Sequence, residues 1–84
     1  MKYPNDPILA TKEKSHGDYK LNAYIAQQLK DIIEPSTTTM DATIKEALDL
    51  ICTKLGRICA GDPTYKDHWD DIAGYARLIA SQLK

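Results

Sequence analysis

The sequence predicts an all-α protein, a small antiparallel bundle of three main helices preceded by a short N-terminal helical turn. Apolar residues recur at helical spacing in three long segments, caps and breakers separate these segments, and alternating strand patterns are absent from the sequence. With 84 residues the chain forms one domain, in which residues 18–84 are the bundle and residues 1–17 an N-terminal arm. Because so small a core gives limited stability, we expect a homo-oligomer.

The arm and the first long helix are predicted from their capping residues. Asp6-Pro7 can begin a short helical turn, and Asp18 can cap a helix that runs from about Tyr19 to Ile33. Pro35 is expected to end that helix, since the residue before proline disfavours helical geometry. The core stripe of this helix is predicted to comprise Leu21, Tyr24, Ile25, Leu29 and Ile32.

The second helix is predicted from near Met40 to about Cys59, with Gly61 as its stop. Cys52 and Cys59 lie two helical turns apart, too far for a disulfide, and are expected in the core. The stripe of this helix includes Met40, Ile44, Ala47, Leu48, Ile51, Leu55, Ile58 and Cys59.

The third helix is predicted from Asp62-Pro63, or a few residues later, to the C-terminus. Trp69 is expected to belong to the core, whereas His68 is expected to be a solvated residue. Gly74 lies inside this helix, at a position where alanine would be more favourable. The predicted stripe comprises Trp69, Ile72, Ala73, Ala76, Ile79 and Leu83.

Composition limits the function classes. The formal net charge of −1 argues against a duplex-DNA binder, which normally has a basic excess. No apolar run is long enough to span a membrane and the N-terminus does not read as a signal peptide, so we expect a cytoplasmic protein.

Two lines of residues lie beside the predicted core. Lys54 and Arg57 follow Leu50 along one flank of the second helix, and Asp71 and Tyr75 precede Leu78 on the third. Leu50 and Leu78 suggest a subunit contact or a pocket, and isolated surface leucines are the alternative. The two cations could hold phosphate with Asp71 and Tyr75 orienting it, or could pair with Asp70 or Asp71 across the helix interface.

A second candidate site is the segment His16-Gly17-Asp18-Tyr19. A flexible glycine before a helix N-terminus can hold an anion, with Lys12, Lys14 and Lys20 nearby. Asp18 as N-cap would occupy the same donors, so a plain capped helix start is the alternative. Tyr19 and Tyr75 could stack on a base.

Metal-dependent catalysis is not favoured. Glu46 and Asp49 have a spacing used in helical metal sites, but they lie on the solvent face, away from the acids of the third helix at Asp67, Asp70 and Asp71. We therefore predict no catalytic residues and no cofactor, with magnesium required only if the chain is a hydrolase.

Several of these residues carry a resemblance. The segment His16–Tyr19 with Asn22, then Lys54 with Arg57, and then the run Asp67–Ala76 resemble a family of small phage and prophage proteins of unknown function, over about residues 16–82. That family is distantly similar to nucleotide-modification-associated domains and to all-α MazG-like nucleotide pyrophosphohydrolases. The paired glutamates of the MazG-like enzymes are replaced here by Gln27, Gln28 and Asp31.

The resemblance implies a phage-type protein, located in the host cytoplasm, that binds a nucleotide or a nucleotide-derived signal such as a cyclic nucleotide. Sequestering a host immune messenger would be one use of such binding. The expected ligand contacts are His16, Gly17, Asp18, Tyr19, Asn22, Lys54, Arg57, Asp71 and Tyr75. The alternatives are a MazG-like metal-dependent pyrophosphohydrolase and a structural or partner-binding helical module.

Overall fold

The computed structural model describes residues 5–83, in which four helices are joined by short connections and no strand occurs. The all-α prediction is confirmed over this part of the chain. The first four residues of the predicted arm, and Lys84, lie outside the described residues. The helices are α1 (Pro7–His16), α2 (Tyr19–Thr37), α3 (Ala42–Ala60) and α4 (Lys66–Ala80).

The N-terminal helix α1 has ten residues and is longer than the short turn that the sequence predicted. The Asp6 side chain accepts hydrogen bonds from the Ile8 and Leu9 N–H groups, at 3.0 and 3.1 Å. Pro7 occupies the first turn, where a backbone N–H group would have no acceptor within the helix, so proline is tolerated there. Ala10 is buried, and α1 packs on α3 and α2.

The prediction that α2 ends before Pro35 is wrong, because the helix continues to Thr37. The Glu34 carbonyl accepts hydrogen bonds from the N–H group of Thr38 at 3.1 Å and from its hydroxyl at 2.7 Å. Thr37 is 1% exposed, so burial anchors the last turn. Proline near a helix end removes one hydrogen bond, and the packed turn beyond it offsets that loss.

Two local motifs set the starts of the last two helices. The Asp41 carboxylate accepts from the Thr43 N–H group at 3.1 Å, so α3 begins after Met40, which is 40% exposed and precedes the helix. The Asp62 carboxylate accepts from the N–H group and the hydroxyl of Thr64, at 2.9 and 2.6 Å. This turn delays the start of α4 to Lys66, a few residues after Pro63.

The central helix is α3, on which both α2 and α4 pack. At Gly56, α2 approaches α3 so closely that an added Cβ atom would lie 2.6 Å from the Asn22 carbonyl oxygen. Helices α2 and α4 do not pack on each other, and the described chain is elongated, with extents of 48 × 25 × 18 Å. Within the described residues, no helix combines the length and apolar character needed to cross a bilayer.

The predicted core stripes are only partly buried. Ile32 is 72% exposed, Tyr24 62% and Leu21 46%, although all three belong to the predicted stripe of α2. Cys52 is buried as expected, but Cys59 is exposed. The buried apolar residues are mostly small: Ala10, Ala26, Ala47, Cys52 and Ile58.

The prediction of which residue is buried at the start of α4 is wrong for both Trp69 and His68. Trp69 is 51% exposed and its indole N–H donates to the Pro63 carbonyl at 2.7 Å, whereas His68 is 2% exposed. The Nε2 atom of His68 lies 3.1 Å from the Ser15 carbonyl oxygen. That carbonyl belongs to the last turn of α1, where no helical donor is available, so a polar side chain is favoured at this contact.

Candidate functional site

A groove of about 560 Å³ lies where α1, α2 and α3 meet. Lys12 from α1, Lys30 from α2 and Arg57 from α3 line it. Among the described lining residues Glu13 is the one carboxylate. The groove is therefore cationic although the whole chain is not.

One end of the groove is formed by the corner between α1 and α2. Gly17 there has φ = 74°, a conformation that favours glycine, and a Cβ atom at this position would lie 1.8 Å from the Ala60 carbonyl oxygen. Its N–H group donates to the Glu13 carbonyl at 2.8 Å. Gly17 thus seats the corner against the end of α3 and fixes the directions of His16 and Tyr19.

The first turn of α2 uses part of its hydrogen-bonding capacity locally. The Asp18 carboxylate accepts from the Lys20 N–H group at 3.1 Å and caps the helix. The buried amide of Asn22 is within 3.5 Å of the His16 carbonyl oxygen. Tyr19, by contrast, is 73% exposed at the edge of the groove.

His16 is a neutral member of this site at pH 7. Partial burial is the main cause that lowers its pKa from 6.5 to about 4, and the nearby charge of Arg57 acts in the same direction. Its Nδ1 atom lies 2.5 Å from the Ser15 hydroxyl oxygen, and its ring meets that of His68 edge to face, with centroids 4.6 Å apart. His16 can therefore offer a hydrogen bond to a ligand, but no charge.

Arg57 is the arginine among the described residues that line the groove. It is half-buried and forms no ion pair with any described residue. Its positive charge helps to lower the pKa of both His16 and Asp71. A guanidinium in this position has donors available for a ligand.

Lys54 has a different role from Arg57. Its ammonium nitrogen lies 2.7 Å from an Asp71 carboxylate oxygen, and its side chain is 12% exposed. This hydrogen bond is the main cause that lowers the pKa of Asp71. The ion pair joins α3 to α4 outside the groove. For Lys54, this is the alternative of pairing with an acid of the last helix, and not that of holding phosphate.

The structure brings five of the nine expected ligand residues to the groove lining: His16, Gly17, Tyr19, Asn22 and Arg57. Asp18 lies at the corner beside them, and Lys54 is not among the lining residues. Asp71 and Tyr75 line a separate shallow depression of about 540 Å³ along α4, together with Leu78.

The groove also contains a cation that the sequence reasoning missed. Lys30 lies eight positions after Asn22, with Ala26 between them, so all three follow the face of α2 that is turned to the groove. This spacing was visible in the sequence. Lys12, by contrast, is one of the basic residues that the sequence places beside the segment His16-Gly17-Asp18-Tyr19.

Three of the five acids that a metal-dependent hydrolase could use form ion pairs with lysines. The five are Glu46, Asp49, Asp67, Asp70 and Asp71. Asp49 pairs with Lys45 at 3.4 Å, Asp70 pairs with Lys66, and Asp71 is the partner of Lys54. Within residues 5–83, no three His, Cys, Asp or Glu side chains are grouped so that they could hold a metal ion.

Comparisons of the chain with protein-family models, with curated proteins and with solved structures found no match.

Proposed function

We propose that the chain binds a nucleotide or a nucleotide-derived signalling molecule in the groove between α1, α2 and α3, and that it works as a homo-oligomer. The observation that carries this proposal is the position of Arg57, half-buried in the groove and without an ion-pair partner among the described residues. A half-buried guanidinium without such a partner has hydrogen-bond donors that an anion in the groove can use.

Phosphate is the anion that suits this arrangement. The planar guanidinium of Arg57 can donate two parallel hydrogen bonds to phosphate oxygens, and Lys12 and Lys30 add positive charge on the other two helices. Among the described lining residues, three cations against the one carboxylate of Glu13 favour a ligand with more than one negative charge. A volume of about 560 Å³ is within the range of small-molecule sites.

The remaining lining residues suit a nucleobase. The exposed ring of Tyr19 offers a stacking surface worth about 1–3 kcal/mol per base. The Gln27 amide and the neutral ring of His16 provide donors and acceptors for the edge of a base. Tyr19 lies at the groove itself, whereas Tyr75 lies on α4 and is the weaker candidate.

Isothermal titration with mononucleotides, nucleoside triphosphates and cyclic nucleotides tests the proposal. We expect Arg57→Ala to weaken binding of the best ligand by about 10- to 150-fold, the range for hydrogen bonds to charged groups. Arg77→Ala is the matched control, because it removes the same side chain from α4, away from the groove. No heat with any ligand, or equal effects of the two variants, would refute the proposal.

For a phage-type protein, we further propose that binding serves to sequester the ligand, with hydrolysis as the competing function. Sequestration predicts that a bound nucleotide is recovered unchanged after incubation with magnesium or manganese and denaturation of the protein. Release of pyrophosphate from a nucleoside triphosphate, dependent on the metal, would support the MazG-like alternative instead.

A further inference from the structure

One face of the α2–α3–α4 layer is apolar, and no described helix packs across it. The groove residues Ala23 and Gln27 on α2 each lie two positions from Ile25, and Thr53 and Arg57 on α3 each lie two positions from Leu55. Two positions correspond to about 160° around a helix. Ile25 and Leu55 are therefore on the side of the layer opposite the groove and α1.

The same argument shows which residues of α4 lie on the side of the layer opposite the groove. Asp71 is held by Lys54 on the side that also contains Arg57, and Trp69 lies two positions before Asp71. Trp69 is therefore on the far side of α4. We name this surface the open apolar face and define it by Ile25 and Ile32 of α2, Ile51 and Leu55 of α3, and Trp69 and Ile72 of α4.

All six residues belong to the core stripes that the sequence predicted, and none of them is buried. Ile32 is 72% exposed and Trp69 51%, and the other four are half-buried. Because α2 and α4 do not pack on each other, nothing described in the chain closes this face. The sequence therefore encodes a core that the single chain leaves open.

The accessible surface of the whole chain exceeds that of a compact monomer by about the area that a dimer interface covers on one partner. A compact monomer of 9.4 kDa has about 5,000 Å² of accessible surface. This chain has 5977 Å², an excess of roughly 1,000 Å² over that value. A standard stable interface buries about 800 Å² on each partner.

We propose that the open apolar face is the interface of a homodimer. The six residues that define it are uncharged, so two copies can meet about a twofold axis without like charges at its centre. This inference specifies the oligomer within the proposed function. It does not depend on the ligand, because the groove with Arg57 lies on the other side of the layer.

The mass in solution tests the dimer. Light scattering coupled to size exclusion should give twice 9.4 kDa for the wild type and one chain mass for Ile32→Asp. Leu78→Asp is the matched control, because Leu78 is also exposed, at 61%, but does not belong to the open apolar face. It lies seven positions after Asp71, on the same side of α4 as Asp71 and therefore on the side opposite Trp69. Leu78→Asp should remain dimeric.

Thermal unfolding gives a second test that holds even if Ile32→Asp fails to fold. The unfolding midpoint of the wild type should rise with protein concentration, as mass action requires for a dimer. A single-chain mass for the wild type, a midpoint independent of concentration, or dissociation by Leu78→Asp but not by Ile32→Asp would overturn the proposal. Arg57→Ala should leave the mass unchanged, so failure of the ligand proposal and failure of the dimer are distinguishable.

Discussion

The corner at Gly17 permits a prediction of stability that can be worked out from distances. In Gly17→Ala the backbone at φ = 74° and ψ = −160° would hold an alanine in a region that essentially only glycine adopts, at a cost of about 1–3 kcal/mol. The new Cβ atom would also lie 1.8 Å from the carbonyl oxygen of Ala60 and 2.7 Å from the nitrogen of Gly61. Both are backbone atoms that cannot rotate away, so the corner must shift, which costs about 1–3 kcal/mol more.

The expected total loss is about 2–6 kcal/mol in the free energy of unfolding. For a domain of this size that corresponds to a fall of more than about 10 °C in the unfolding midpoint. Gly74→Ala is the matched control. Nothing lies within 4 Å of a Cβ atom at Gly74, which is inside α4, so the same substitution there should stabilise the protein by up to about 1 kcal/mol.

Urea denaturation followed by far-ultraviolet circular dichroism, with all proteins at one concentration, measures both effects. Opposite signs for Gly17→Ala and Gly74→Ala are the expected result. If Gly17→Ala unfolds at the same urea concentration as the wild type, the backbone geometry at this corner is not what orients α1, and the reasoning fails.

Three further predictions concern stability and pH. Because the pKa of His16 falls from 6.5 to about 4 on folding, the unfolded chain binds more protons between these values, and stability should decrease by about 1–3 kcal/mol as the pH falls from 6.5 to 4. His16→Gln should flatten that part of a stability-against-pH curve; an unchanged slope would contradict the assignment. Gly56→Ala should cost about 1–3 kcal/mol by urea denaturation, since its Cβ atom would meet the Asn22 carbonyl oxygen at 2.6 Å; a neutral effect would mean that α2 moves freely on α3. His68→Ala should lower the unfolding midpoint more than Trp69→Ala does at a concentration where both variants are monomeric, because His68 is the buried residue of the two.

Local structure was readable from the sequence because it depends on neighbouring residues. Asp6 and Asp18 cap their helices as expected, and Gly61 follows the end of α3. Pro35 alone predicted the end of α2 wrongly, because Thr37, two residues later, is 1% exposed and this burial is not visible in the local sequence. The end of α2 thus depends on burial in the folded chain.

The orientation of α4 was not readable for a similar reason. Periodicity identifies which side of a helix is apolar, but it does not identify what covers that side. Within one chain α4 packs through His68 and Asp71, which satisfy the Ser15 carbonyl and Lys54, and Trp69 is left outside. Polar partners at specific distances determined this rotation.

The candidate site was predictable in part. His16, Tyr19 and Arg57 were expected to bind one ligand, and they line one groove, because the α1–α2 corner packs against the end of α3. The separation of Lys54 from Arg57 could not be read from their spacing of three residues. It follows from the position of Asp71, which depends on how α4 docks.

The Ser15 carbonyl joins distant parts of the chain. It accepts from the Asp62 N–H group at 3.4 Å and lies 3.1 Å from Nε2 of His68, 53 positions away in sequence. His68 also supports the ring of His16, which lines the groove, although no residue of α4 lines it. Shortening the protein after α3 would therefore disturb the groove from a distance, by removing the ring that packs behind His16.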